Sequence, residues 1–134
     1  AAMIRLTNEL ESIGDSSLNL FFQLERLEEK SLKFKDEMNK EIIEIFGVVV
    51  EFIKWNSLFI TNNIKSMANQ DLDKSIKYEK EIDNLRNKFL DTSRERLANG
   101  EDPKAELLFL DIIKHLEHIG DYSLNISQAL EQIN

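Results

Sequence analysis

The segment that decides the fold of this chain reads Leu116-Glu117-His118-Ile119-Gly120-Asp121-Tyr122-Ser123-Leu124-Asn125, and a second copy occupies residues 10–19. Only the third and seventh of the ten positions differ between the copies. Unrelated amphipathic helices share apolar spacing, but they do not share an internal Gly, two acids and an Asn at the same positions. The two copies therefore indicate a genuine internal repeat. Because one copy lies near each end, we interpret residues 1–30 as the last helix of one repeat and residues 31–134 as a complete three-helix repeat.

The whole chain is expected to be helical and to form one domain, residues 1–134. Its length suits a single domain, and 42% of its residues are apolar, which is enough for a continuous core. Four Gly and one Pro leave few places for hairpins. The apolar periodicity places helices at Ala2–Glu29, Leu32–Met67, Leu72–Asn99 and Pro103–Ile133. We predict an all-α, antiparallel bundle of about four long helices, with the first helix packed beside the fourth.

Residues with known roles at helix ends mark the predicted breaks. Asn99-Gly100 suits a helix C-terminus, where one residue must accept a positive φ. Asp102-Pro103 then supplies an N-cap followed by Pro at the first helical position. Asp71 is a candidate N-cap for the third helix, and Ser31 is a weaker candidate for the second.

Composition and charge exclude several classes of partner and site. The chain has no Cys, so any metal must be held by oxygen or imidazole. Its net charge of -8 opposes binding to nucleic acid or to an anionic membrane surface, because like charges would be brought together. The most apolar stretch, Ile42–Ile60, is interrupted by Glu44, Glu51 and Lys54, so we expect no membrane-spanning helix.

Three pairs of acids share the spacing Glu-x-x-x-Asp, which places both members of each pair on one helix face. The pairs are Glu11 and Asp15, Glu79 and Asp83, and Glu117 and Asp121. Each pair lies within an arc of apolar side chains, so each is expected near a core-facing surface. A buried carboxylate costs several kcal/mol unless a proton, a basic group or a metal compensates for it.

Converging carboxylates without thiolates favour hard cations such as Mn, Fe, Mg or Ca. We therefore predict one cation site formed by Glu79, Asp83, Glu117 and Asp121, with the pair on the first helix as a second site. The alternative is that these acids flank the core, reach solvent or pair with basic residues on neighbouring helices.

Several other residues carry weaker expectations. Gly14 and Gly120 lie mid-helix, where Gly costs about 1 kcal/mol relative to Ala, and close approach of another helix would explain them. His115 and His118 point away from Glu117 and are expected at the surface. Trp55 lies off the centre of the apolar stripe of the second helix, either as a partner contact or as a partly covered surface residue. The stripe is expected to be mostly core by spacing, and it comprises Phe46, Val49, Phe52, Ile53, Phe59 and Ile60. No phosphate-binding Gly-rich loop or catalytic Ser/His/Asp arrangement is visible, so we do not expect an enzyme.

The repeated segments resemble the Leu-Glu-Arg-Ile-Gly-Asp signature of the PhoU family, although Ser12 and His118 replace its Arg. Residues 79–83 are similar to the acidic segment of the family's second helix. The resemblance implies tandem three-helix bundles, control of phosphate transport and, in some members, metal clusters at the Glu-x-x-x-Asp faces. A structural or signalling bundle without metal remains the alternative.

The amino-acid sequence of residues 7–15 looks most like that of the PhoU-like cytosolic domain of bacterial sodium/phosphate cotransporters. That narrower resemblance implies a cytoplasmic module, tethered to the inner face of the membrane through upstream sequence. It implies a membrane phosphate transporter as partner, in the same polypeptide or as a separate subunit, and it is compatible with a homo-oligomer.

Overall fold

The computed structural model describes residues 1–30 and 32–133, and within these ranges it contains four α-helices and no strand. The helices are α1 (Ala2–Glu29), α2 (Asp36–Ser57), α3 (Asn69–Ala98) and α4 (Pro103–Glu131). The predicted all-α bundle of four long helices is confirmed. None of these helices is both long and apolar enough to cross a bilayer.

Side-chain contacts between the helices give their directions. Arg5 near the start of α1 donates a hydrogen bond to Gln128 near the end of α4. Trp55 at the end of α2 donates to Ser75 near the start of α3. Ile82 in the first half of α3 lies against Gly120 in the second half of α4. Each of these pairs is antiparallel, as expected.

The helix α4 is the centre of the bundle, because it packs against each of the other three helices. Its largest buried side chains include Phe109, Ile113, Leu116 and Leu130. In contrast, α1 packs along α4 alone among the described helices, and its buried residues are Leu6 and Ser16. The predicted neighbourhood of the first and fourth helices is confirmed, whereas the division of the chain into two repeats stays a prediction.

The turn between α3 and α4 follows the predicted chemistry. Gly100 has a φ of 87°, a left-handed conformation that Gly adopts without steric cost. The Asp102 side chain then accepts a hydrogen bond of 3.0 Å from the backbone N–H of Lys104, and Pro103 occupies the first turn of α4. The turn fixes the register in which α3 and α4 face each other.

The second helix is shorter than predicted, because residues 58–67 leave the helix. The backbone N–H groups of residues 58–60 donate to carbonyls three residues earlier, so the chain tightens into a short turn after α2. Thr61 donates both its backbone N–H and its hydroxyl to the Ser57 carbonyl. Asn62 has a φ of 72°, a left-handed conformation that ends a right-handed helix. At the other end, α2 begins at Asp36, and the candidate cap Ser31 lies outside the described residues.

The third and fourth helices differ from the predicted bounds by one to three residues. The helix α3 begins at Asn69 because Asp71 does not act as the N-cap. Its carboxylate instead reaches back and accepts a hydrogen bond of 3.0 Å from the backbone N–H of Ala68. Such a contact satisfies one of the free N–H groups at a helix start.

The two repeated glycines meet different surroundings. A Cβ built on Gly120 would lie 3.0 Å from Cδ1 of Ile82, so α3 approaches α4 closely at this point. A Cβ built on Gly14 would meet nothing within 4 Å. Close helix approach therefore explains Gly120 but not Gly14, because the described helices leave that face of α1 uncovered.

Only some side chains of the apolar stripe of α2 are buried in the core. Val49 and Phe52 are buried as expected, whereas Phe46 is 51% and Ile53 is 38% exposed. These two residues line an apolar groove between α1 and α2, since α1 packs on α4 and leaves α2 uncovered on that side. Trp55 has an intramolecular role, since its ring lies under the Lys74 ammonium at 4.3 Å.

A buried ion-pair network, which the sequence did not reveal, joins α2, α3 and α4 near the α3–α4 turn. Arg96 donates to Glu41 of α2 at 2.7 Å and also pairs with Glu106 of α4. Thr92 donates to the second oxygen of Glu41, and Ser93 donates to Glu106. Since burial of unpaired charges is costly, the network depends on all three charged groups being present.

Candidate metal centre

Three carboxylates converge between α3 and α4. Glu79 and Asp83 lie one turn apart on α3, and Asp121 projects from α4 opposite them. One oxygen from each side chain lies within 4.8 Å of the others, and all three side chains are half-buried. Within residues 1–30 and 32–133 this is the one such group of acids or His, and it contains three of the four residues predicted for the main cation site.

The three acids disfavour full ionisation. Burial raises the pKa of Glu79 to about 7, and hydrogen bonding and repulsion involving Asp83 and Asp121 add to the increase. Burial also raises the pKa of Asp121, while the hydrogen bond from Glu79 and the charges of His118 and Arg86 oppose that rise. Glu79 therefore binds a proton more tightly than an exposed Glu does, and a bound cation would replace that proton.

Glu117 pairs with a base instead of joining this cluster. Its Oε2 lies 2.5 Å from Nε of Arg86, which projects from α3 less than one turn after Asp83. Burial raises the pKa of the Glu117 carboxyl, and the Arg86 guanidinium opposes that rise. Compensation by a base on a neighbouring helix, one of the alternatives from the sequence, thus applies to Glu117.

The acidic pair on α1 lies apart from the cluster. Glu11 and Asp15 are both exposed, as are the neighbouring Ile4, Leu18 and Phe22. The expectation that this pair faces a core is wrong for the described residues, because only α4 packs against α1 and it covers a different face. Glu11 and Asp15 remain a predicted second site that lacks facing ligands within the described chain.

The two histidines are half-buried rather than fully at the surface as expected. Their rings lie 6.2 Å apart in an edge-to-face arrangement, and His118 also lies near Tyr122. Burial lowers the pKa of His115, which disfavours its charged form. Of the two, His118 lines the cavity between α3 and α4 beside Arg86 and Glu117.

The donor set fits a hard divalent cation. Carboxylate oxygens suit Mg²⁺, Mn²⁺ and Ca²⁺, and Fe accepts the same ligands. Glu79, Asp83 and Asp121 would supply three such ligands from two helices, which leaves coordination positions for water or another anion. The raised pKa of Glu79 indicates that negative charge in the cluster is unfavourable, and a bound cation would relieve it.

The fold and this site define a class: an all-α bundle that carries an acidic cluster on the facing surfaces of two helices. The sequence pattern of the PhoU domain matches residues 56–130, more than half of the chain. The chain therefore belongs to the PhoU family. The match includes α3 and most of α4, and so all three carboxylates of the cluster.

A curated relative extends the likeness along nearly the whole chain. The chain is 27% identical over 132 residues to the phosphate-specific transport system accessory protein PhoU homolog 1 of Thermotoga maritima. The alignment covers 96% of this chain but 53% of the relative, so the chain spans about half of that protein's length. No solved structure matches the chain significantly.

Proposed function

We propose that this chain is a regulatory module of phosphate transport whose helix packing responds to a cation, and that it does not catalyse a reaction. Membership of the PhoU family and the name of the Thermotoga maritima relative support a role in phosphate transport. The cluster of Glu79, Asp83 and Asp121 supports cation dependence, and this is the single observation that carries the mechanism.

The mechanism follows from the position of the cluster across a helix interface. Without a cation, the three acids repel one another, and Glu79 binds a proton with a raised pKa of about 7. A divalent cation would offset two of the three negative charges and draw α3 and α4 together at this level. The two charge states therefore favour different packings of the same helices, which is the requirement for a population shift.

Titration of the purified protein with Mn²⁺, Mg²⁺ or Ca²⁺ tests the site. We expect Asp121→Asn and Glu79→Gln to weaken Mn²⁺ binding by about tenfold or more, equivalent to about 1.4 kcal/mol. Asp91→Asn is the matched control, because Asp91 also lies on α3 but is exposed and belongs to neither predicted cation site. Equal effects of Asp91→Asn and Asp121→Asn, with both variants folded, would contradict the assignment.

The partner we propose is a membrane phosphate transporter, contacted from its cytoplasmic side. The resemblance of residues 7–15 supports the narrower proposal that the module is the cytosolic part of a bacterial sodium/phosphate symporter, tethered to the inner face of the membrane. Phosphate uptake in cells whose parent protein carries Asp121→Asn tests this role. We expect an altered response to phosphate starvation, and an unchanged response at normal protein level would count against regulation.

A structural or signalling bundle without metal is the second candidate, and the Arg86–Glu117 pair favours it. That pair shows that one predicted ligand is already compensated by a base. The two candidates differ in a simple measurement, because a purely structural bundle should show no saturable binding of Mn²⁺, Mg²⁺ or Ca²⁺ at millimolar concentrations.

A further inference from the structure

A cavity of about 330 Å³ lies between α3 and α4 beside the carboxylate cluster. Its polar wall consists of Arg86, Asp111, Lys114, Glu117 and His118, and apolar side chains including Leu90 complete the lining. Three of these polar groups are basic, in a chain whose net charge is -8. The cavity is therefore a local concentration of nitrogen donors in an otherwise acidic molecule.

The cavity and the cluster share one electrostatic environment. Glu117 lines the cavity and lies one turn before Asp121 on α4. Arg86 also lines the cavity and lies three residues after Asp83 on α3. The cavity and the cluster therefore occupy adjacent levels of the same interface between α3 and α4.

We propose that this cavity binds inorganic phosphate when a divalent cation occupies the cluster of Glu79, Asp83 and Asp121. The guanidinium of Arg86 presents donors in a planar fork that matches the oxygens of a tetrahedral anion. Lys114 adds a mobile point charge, and His118 adds a ring N–H. The proposal rests on the cation site of the proposed function, and it adds inorganic phosphate as a second ligand next to that site.

The charges explain why the cation is required. Asp111 and Glu117 offset Arg86 and Lys114, so the cavity by itself has little net attraction for an anion. The neighbouring carboxylate cluster repels an anion when it is ionised. A divalent cation would offset two of the three carboxylate charges, which reduces this repulsion, and it would leave coordination positions open for phosphate oxygens.

Arg86 has donor capacity beyond its pair with Glu117. A guanidinium carries five N–H donors, and Glu117 is the one ion-pair partner of Arg86 within the described residues.

If cation and phosphate bind cooperatively, each must raise the affinity for the other by the same factor. The module would then respond to cation and phosphate present together.

The test is calorimetric titration of phosphate into the whole chain, once saturated with Mn²⁺ and once stripped with EDTA, with a blank titration into Mn²⁺ buffer. We expect saturable binding only to the Mn²⁺ form. Arg86→Gln and Lys114→Gln should each weaken it by about tenfold or more. Lys88→Gln, an exposed change two residues from Arg86 on α3, should leave phosphate affinity within about twofold.

A separate Mn²⁺ titration of each variant distinguishes failure of this inference from failure of the cation site. Mn²⁺ binding without phosphate binding would overturn the phosphate site and leave the proposed cation site standing. Absence of Mn²⁺ binding would overturn both. Equal phosphate affinity with and without Mn²⁺ would overturn the cation requirement, and tighter binding of glycerol phosphate than of phosphate would overturn the assignment to free phosphate.

Discussion

Gly14 and Gly120 hold the same position in the two copies of the repeat but should respond oppositely to substitution. Gly14→Ala should stabilise the protein by up to about 1 kcal/mol, because Ala favours helix and the added Cβ meets no neighbour. Gly120→Ala should destabilise it by about 1 kcal/mol, because the stiff side chain of Ile82 lies 3.0 Å from the new Cβ.

Urea unfolding of the two glycine variants measures both effects against the same reference protein. Circular dichroism of each variant verifies that the helices are retained. An equal gain in the free energy of unfolding for both variants would show that α3 moves away from Gly120 at no cost, contrary to the packing described above.

Glu79 should make the protein less stable as pH rises. Its pKa rises from 4.5 in the unfolded chain to about 7 in the fold, so the native state binds the proton more tightly. The stabilisation is complete below about pH 4.5 and is lost as pH rises through about 7. Glu79→Gln should flatten this part of the profile, as measured by urea unfolding between about pH 5 and about pH 8.

Saturating Mn²⁺ should also oppose the loss of stability at high pH, because it replaces the proton in the cluster. Asp91→Asn is the control, since Asp91 is exposed and pairs with Arg94 at the surface. A pH profile that Glu79→Gln leaves unchanged would contradict the raised pKa.

The sequence identified the three clustered acids but not their surroundings. The pairing of Glu79 with Asp83 follows from helix geometry alone, since residues four apart share a face. Which acid on α4 joins them depends on how α4 is rotated against α3, and no local pattern encodes that rotation. Arg86 was therefore missed as the partner of Glu117, although its place three residues after Asp83 was a usable signal.

At the level of elements, the buried network around Arg96 should dominate the attachment of α2 to α3 and α4. Arg96→Met should destabilise the protein by about 3–5 kcal/mol, because it leaves Glu41 and Glu106 buried without their positive partner. Thermal unfolding measures the loss. Arg94→Met, at an exposed position two residues earlier, should change stability by less than about 0.5 kcal/mol.

The triple variant Arg96→Met, Glu41→Gln and Glu106→Gln should recover much of that loss, since it removes the uncompensated charges. If the triple variant is no more stable than Arg96→Met alone, lost packing rather than unpaired charge explains the effect. That outcome would assign the main contribution to contacts such as the one between the Arg96 guanidinium and the Phe109 ring.

The presence of all four helices was predictable from the sequence, whereas the length of α2 was not. Apolar periodicity continues through residues 58–67, so the pattern indicates a helix that the backbone does not form. The i→i−3 hydrogen bonds of residues 58–60 and the left-handed Asn62 end the regular structure there. In contrast, the chemistry of Gly100, Asp102 and Pro103 is local, and the turn it forms was predicted correctly.

For the molecule as a whole, α1 should be the least protected helix. Its buried residues are Leu6 and Ser16, and it packs on α4 alone among the described helices. Hydrogen exchange measured by NMR should therefore show faster exchange for central α1 amides than for central α4 amides, because local opening of α1 exposes less of the core. Uniform protection across both helices would indicate that α1 opens only with the whole bundle.

The α3–α4 turn and the carboxylate cluster together make the hairpin a lever. Asp83 lies 15 residues before the end of α3 and Asp121 lies 18 residues after the start of α4, which is about 22 and about 27 Å along the helices. One degree of splay at the turn therefore separates the opposing carboxylates by about 0.4 Å. The buried Arg96 network holds the helices together near the turn, whereas the carboxylates attract or repel one another through their charge state farther along α3 and α4. A charge change too small to unfold any helix would thus be amplified into movement of the far ends of both arms.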